Sequence, residues 1–228
     1  ERHDARTGWA FMAPFFIMFL LVFAVPICVA IYQSFFRQVA SGGGLYGGGE
    51  LKNQFVGLEN FVMVITSGQF WSGMGRVVVY AAFQIPIMII SALVLALVLD
   101  SFLVRRVGFF RLTYFLPFAI PGIVAAMVWL YIYTPELSPI VKFFDSLGIH
   151  IDFMAPGAPI LASMANMTTW TYTGYNMLIF LAALQAVPHE LYEAARLDGA
   201  SSWQIVRQIK IPMVSGAALL AVLLSIIG

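Results

Sequence analysis

Long apolar runs broken by short polar segments set the pattern of this chain. A helix that crosses a bilayer needs about 20 mostly apolar residues. Such runs lie at 8–36, 71–99, 112–133 and 159–187, and a fifth begins at Pro212 and is cut short by the last residue. The pattern predicts an all-α integral membrane protein, a polytopic helical bundle with at least these five spans. Pro26, Pro86, Pro117 and Pro121 fall inside spans. Each reads as a plain kink, because neighbouring helices satisfy the carbonyls that a proline frees.

Between the fourth and fifth runs lies a polar island at 193–212, EAARLDGASSWQIVRQIKIP. Its local signals predict a helix, a tight turn and a second helix. Pro188 suits a first helical position, and Glu190 favours the positive end of the helix dipole. Leu191, Ala194 and Ala195 form a short apolar face, with Glu193 and Arg196 beside it. Gly199 supplies a left-handed stop. Ser201 followed by Gln204 is a capping-box pattern that starts the next helix. Ile205 and Ile209 share a face at i, i+4. Pro212 marks either the end of that helix or the start of the next span. Capping alone fits a hairpin without a partner as well as it fits a docking element.

Composition agrees with the membrane class. Hydrophobic residues make up 61% and charged residues 10%, against roughly 45–50% and about 25% in soluble domains. A formal net charge of +1 argues against a nucleic-acid partner. Cys28 stands alone in an apolar run and forms no internal disulfide, so the redox compartment is unreadable. His3, His150 and His189 lack ligand spacing, which argues against a metal site. Lys52, Lys142 and Lys210 lack the glycines before and the Ser or Thr after that a phosphate-binding loop requires. No nucleophile–base constellation stands out, so the chain reads as no enzyme. The glycines of 41–49 read as a flexible tether, and Trp71 as an interfacial anchor.

Lys and Arg are unevenly spread. Arg2, Arg6, Arg105, Arg106, Arg111, Arg196, Arg207 and Lys210 fall on one side of the predicted spans. Arg37, Lys52 and Lys142 fall on the other, with Arg76 just inside the second span. The richer side is the cytoplasmic one, which puts the N-terminus and 193–212 inside. Mid-span positions are nearly free of charge, which weakens the alternative of a secondary transporter or channel, since such proteins keep functional charges or polar rings at depth. The fourth run instead holds uncharged polar and aromatic groups: Asn166, Thr168, Thr169, Trp170, Thr171, Tyr172, Thr173, Tyr175 and Asn176, with Gln84 in the second run. Hydroxyls, amides and ring faces suit a neutral polyol. They suit interhelical hydrogen bonding equally well. The chain opens on Glu1 and closes on Gly228 inside an apolar run, so a longer protein with six spans is expected.

The island resembles the cytoplasmic signature loop of permease subunits in bacterial ATP-binding-cassette importers. That pattern is Glu-Ala-Ala, three residues, Gly, nine residues, then Ile-x-Leu-Pro. Glu193, Ala194, Ala195, Gly199, Ile209 and Pro212 fall at the matching spacing, and Asp198 belongs to a further hallmark, Asp-Gly-Ala. Ile211 replaces the usual Leu, and Gly75-Arg76-Val77 stands where the family often has Asn-Thr. FVGLENF at 55–61, RLTYFLP at 111–117 with Pro121 and Trp129, and LQAVP at 184–188 resemble the carbohydrate-uptake branch, the maltose-type and glycerol-phosphate-type permeases. The resemblance implies one permease domain over 1–228, with a coupling loop at 188–212. It implies a second related permease, two ATPase subunits that carry ATP and Mg, an extracytoplasmic binding protein and a multi-pass subunit of the bacterial cell membrane. This chain itself would bind no cofactor. On that reading a sugar-like substrate passes Gln84, Asn166, Thr169, Tyr172, Tyr175 and Asn176.

Overall fold

The computed structural model describes residues 2–41, 50–101 and 104–227. Glu1, Gly228 and the glycine-rich stretch 42–49 lie outside the described residues. The chain divides into two compact units, 1–75 and 76–228.

The first unit opens with α1 (Arg2–Phe19), a π-turn (Leu20–Ala24) and α2 (Val25–Ser34). Among the described residues, Gly8–Ser34 is one of two helical stretches long and apolar enough to cross a membrane. None of its residues is buried within the chain, and Phe11, Phe15, Phe19 and Phe23 lie exposed along it. So continuous an apolar surface requires lipid or another subunit to cover it. The π-turn comes two residues before Pro26, and the Val25 N–H reaches back five residues to the Leu20 carbonyl. Widening the turn makes room for the pyrrolidine ring, which clashes with the carbonyl four residues back in a regular helix.

An antiparallel hairpin follows, β1 (Phe36–Ser41) with β2 (Glu50–Phe55), Phe36 opposite Phe55 and Ser41 opposite Glu50. The all-α reading did not contain it. Next come α3 (Glu59–Thr66) and the start of α4 (Gly68–Leu99). FVGLENF closes the base of the hairpin. Gly57 takes φ +56°, and Asn60 ties three backbone levels together. Its Oδ1 accepts from Arg37 Nε and Nη2 at 3.2 and 3.0 Å. Its Nδ2 donates to the Ser34 and Phe36 carbonyls at 2.8 and 3.0 Å. Arg37 also reaches Glu59 at 3.5 Å. Asn60→Leu removes all four bonds and is expected to cost about 1–3 kcal/mol. Earlier proteolysis or melting of the hairpin region in detergent, with insertion retained, checks it.

The second unit holds the rest of α4, then α5 (Val107–Ala119), α6 (Gly122–Tyr133), α7 (Pro139–Ser146), α8 (Ala158–Gln185), α9 (His189–Leu197), α10 (Ser202–Ile205), a second π-turn (Val206–Lys210), α11 (Ile211–Met213) and α12 (Ser215–Ile227). Its core joins α4, α8 and α12. Met88, Ile89, Ala92, Ala96 and Leu99 meet Met177, Phe180, Leu181 and Leu184, with Val214 and Ala221. The α4 positions recur at helical spacing and so form one stripe. Ala92, Ala96 and Ala221 are fully buried; small residues let helices approach closely where lipid supplies no hydrophobic drive. Helices α5 and α8 also approach closely. A Cβ on Gly174 would lie 1.7 Å from the Tyr114 carbonyl oxygen.

Two predicted spans prove to be bent pairs. The third bends by 93° between Val107–Ala119 and Gly122–Tyr133, and the fifth by 55° between Ser202–Met213 and Ser215–Ile227. Pro121 is therefore no plain kink. It pushes the residue before it out of the helical region, and Ile120 is extended at ψ 127°. Pro86 and Pro117 do sit inside continuous helices. The fifth run is helical well before Pro212, and its break falls at Val214. Gly68–Leu99 is the second helix long and apolar enough to cross, and counting each bent pair as one span gives up to four among the described residues. The 28 residues of α8 are long enough, but their Thr, Asn and Tyr content leaves them less apolar than those spans.

Candidate functional site

The polar island folds as helix, turn and helix. Pro188 is the residue just before α9, one position earlier than its expected place, and Glu190 lies in the first turn. At the far end Gly199 takes φ +81°. Its N–H donates to the Arg196 carbonyl at 3.0 Å, and the Ala200 N–H to the Ala195 carbonyl at 2.9 Å. These paired bonds satisfy carbonyls that a helix end leaves open. The capping box forms: Ser201 N–H donates to Gln204 Oε1 at 2.7 Å, and Gln204 N–H to Ser201 Oγ at 3.3 Å. The chain then runs through α10 and the second π-turn to Pro212. As at Pro26, the residue before the proline, Ile211, donates to the carbonyl five back, that of Val206.

No residue of α9 is buried. Glu193, Ala194 and Asp198 are exposed, Ala195 and Ile209 are half-buried, Pro212 is exposed, and Ile205 is buried. In the polar island and just before it, the most exposed large apolar side chains are Leu191 at 42%, Leu197 at 89% and Trp203 at 68%. Sequence reading singled out Leu191 only. An apolar side chain amid polar neighbours was the available signal for the other two. It also missed an ion pair. Lys210 Nζ lies 2.5 Å from Asp100 Oδ2 and 5.4 Å from the centre of the Tyr192 ring. The Tyr192 hydroxyl is buried without a hydrogen-bond partner. Burial first, and then the Asp100 carboxylate, raise its pKa above the ordinary tyrosine value. Asp100 and Lys210 are 110 residues apart, and no local pattern announces them.

The polar residues of α8, with Gln84 of α4, separate into two groups. Asn176 and Gln84 are buried, at 3% and 4% exposure. Both amides point at the Met88 sulfur, 3.8 and 3.6 Å away, and Asn176 also donates to the Tyr172 carbonyl at 3.0 Å. The second group is more open. Tyr172 is 44% exposed and meets Phe118 edge-on at 5.8 Å, while Tyr175 stacks on Phe118 at 4.8 Å. Asn166 donates to the Tyr133 hydroxyl at 2.8 Å. Half-buried Thr169 offers its carbonyl to Thr173 Oγ1 at 2.6 Å. Thr168 shares a hydrogen bond with Tyr80 at 3.0 Å. Hydroxyls therefore mostly bond within their own helix, whereas Phe118, Tyr172 and Tyr175 present an aromatic surface.

Apolar helices around a tightly packed core, with a folded polar loop between two of them, define a helical membrane protein. The chain belongs to the family of binding-protein-dependent transport system inner membrane components, whose model matches residues 61–228. It is a permease of the ATP-binding-cassette importer class. A probable ABC transporter permease of Pyrococcus horikoshii is 32% identical over 213 residues, covering 91% of this chain and 72% of the relative. The sn-glycerol-3-phosphate transport system permease of Agrobacterium fabrum is 31% identical, covering 88% and 67%. The lactose transport system permease of Rhizobium radiobacter is 30% identical, covering 100% and 74%. Among solved structures, a chain of a bacterial ABC transporter that imports the acidic polysaccharide alginate matches with a TM-score of 0.78 at 20% identity, covering 96% of this chain and 73% of that one. The same importer type, solved in complex with a periplasmic protein bound to an alginate pentasaccharide, matches at 0.73 and 19% identity. Those two likenesses show the fold.

Proposed function

We propose that this chain is one of two related permeases lining the path of an importer for a sugar or similar polar solute, and that a separate ATPase seats on its loop at 193–212. The observation that carries the reading is the loop itself: a rigidly capped helix and turn whose Leu191, Leu197 and Trp203 are bare. Relatives named for glycerol phosphate and lactose support the substrate class. In this reading α9 enters a cleft of the ATPase, Ala194 and Ala195 allow close approach, and Glu193 and Asp198 give polar contacts. Gly199 makes the turn, while Ile209 and Pro212 lead back to the membrane. The loop and the N-terminus are cytoplasmic, the subunit is multi-pass, and 1–228 works as a single permease domain with its coupling segment at 188–212. ATP and Mg belong to the ATPase pair, an extracytoplasmic protein delivers substrate, and this chain performs no catalysis.

Mechanically, closure of the ATPase dimer around ATP displaces the docked loops and turns the path outward to receive substrate. Hydrolysis returns it. Purification with its gene neighbours is expected to bring down an ATPase, lost on Glu193→Lys. A partner-free protein that moves solute in ATP-free vesicles would overturn the reading. For the path, Tyr172→Ala and Tyr175→Ala are expected to shift substrate preference or raise KM about tenfold, on the scale of one or two lost stacking contacts, with ATPase binding intact. Unchanged uptake kinetics in both variants would make these rings packing groups.

A further inference from the structure

We infer that Asp100 and Lys210 form a strut through which displacement of the loop enters the membrane part, with the Tyr192 ring as its seat on α9. The inference rests on the importer reading above and assigns the route of its motion. With no buried residue of its own, α9 cannot transmit force through core packing. The ion pair can. Lys210 Nζ and Asp100 Oδ2 are 2.5 Å apart, and their side chains are only 14% and 18% exposed, so solvent and salt screen them weakly. Each end is built into the core. Asp100 follows α4 directly, with its N–H on the Ala96 carbonyl at 2.8 Å, and Lys210 gives its carbonyl to the Val214 N–H at 3.2 Å. Their neighbours Leu99 and Val214 are core residues. The ammonium faces the Tyr192 ring, an attraction that strengthens when the cation is partly desolvated. An unpaired buried hydroxyl opposes the placement of Tyr192, so the ring's contact with Lys210 is a favourable term that holds it. A push on α9 therefore loads α4 and α12 together.

The test uses the whole complex, with ATPase and binding protein, in vesicles, and reads solute moved per ATP hydrolysed. Asp100→Asn and Lys210→Met are each expected to lower that ratio about tenfold while the ATPase stays bound. The charge swap Asp100→Lys with Lys210→Asp rebuilds the pair but not the cation that position 210 sets over Tyr192, and restores the ratio in part. The neutral double variant, Asp100→Asn with Lys210→Met, assembles, because it buries no lone charge, yet stays poorly coupled. Single variants with a normal ratio, or a neutral double variant coupled like the wild type, would overturn the strut and leave the pair a packing element. Should the single variants fail to assemble, the contrast between swap and neutral double decides alone. A wild-type chain that recruits no ATPase is a separate result, and removes the importer reading itself.

Discussion

Gly174→Ala is expected to break the bundle apart or prevent it from forming. The added carbon would sit 1.7 Å from the Tyr114 carbonyl oxygen, 2.4 Å from its carbon and 3.0 Å from the Phe115 nitrogen. All three are backbone atoms, so no change of rotamer makes room. Helix α5 must move away from α8 instead, taking Phe118 off Tyr175 and Tyr172. Overpacking typically costs about 1–3 kcal/mol, and a rigid backbone partner puts this site at the upper end or beyond. The sign is diagnostic, because glycine to alanine inside an unobstructed helix gains about 0.5–1 kcal/mol. Thermal unfolding in detergent and yield from the membrane read the effect. A variant that melts at or above the wild-type temperature would mean that the helices do not cross this closely.

Gly199→Val should act in the opposite manner: normal insertion and melting, with uptake abolished. Space is not the obstacle here, since a Cβ at Gly199 would meet nothing within 4 Å. The obstacle is φ +81°, which costs an L-residue roughly 1–2 kcal/mol and a β-branched one more. The local remedy is to unwind the turn, which gives up the bonds from Gly199 and Ala200 and re-aims α9 relative to α10. Because no residue of α9 is fully buried, the rest of the fold registers little of the loss. Uptake and retained ATPase, both normalised to the amount of inserted subunit, measure it. Normal transport would show that the turn's shape is irrelevant to coupling.

What could be read beforehand follows the range of the interactions. The stop at Gly199 and the Ser201–Gln204 box depend on residues at most five apart, and both form where the spacing places them. The apolar runs are equally local and mark helices throughout. The hairpin was missed because FRQVAS and ELKNQF alternate too weakly to stand out beside a glycine-rich stretch. A proline in an apolar run looks the same whether the helix continues, as at Pro86 and Pro117, or breaks, as at Pro121; only packing and the preceding backbone decide. The polar residues of α8, with Gln84 of α4, read as one patch, and it took the packing of α4 on α8 around Met88 to separate buried Gln84 and Asn176 from the exposed Tyr172. Asp100 and Lys210 belong to opposite ends of the second unit's sequence, beyond the reach of any motif.

The π-turn at Val206–Lys210 holds one residue more than a regular helix of the same rise. Removing one residue here would let the helix close into regular winding with its two flanks still in register, whereas the same loss from the regular turn of α10 would swing Trp203 and α9 by about 100° relative to the helix that follows. Adding one back would undo it. The π-turn, part of the loop at 193–212 itself, is thus a place where the chain can gain or lose one codon and still present α9 to the same partner.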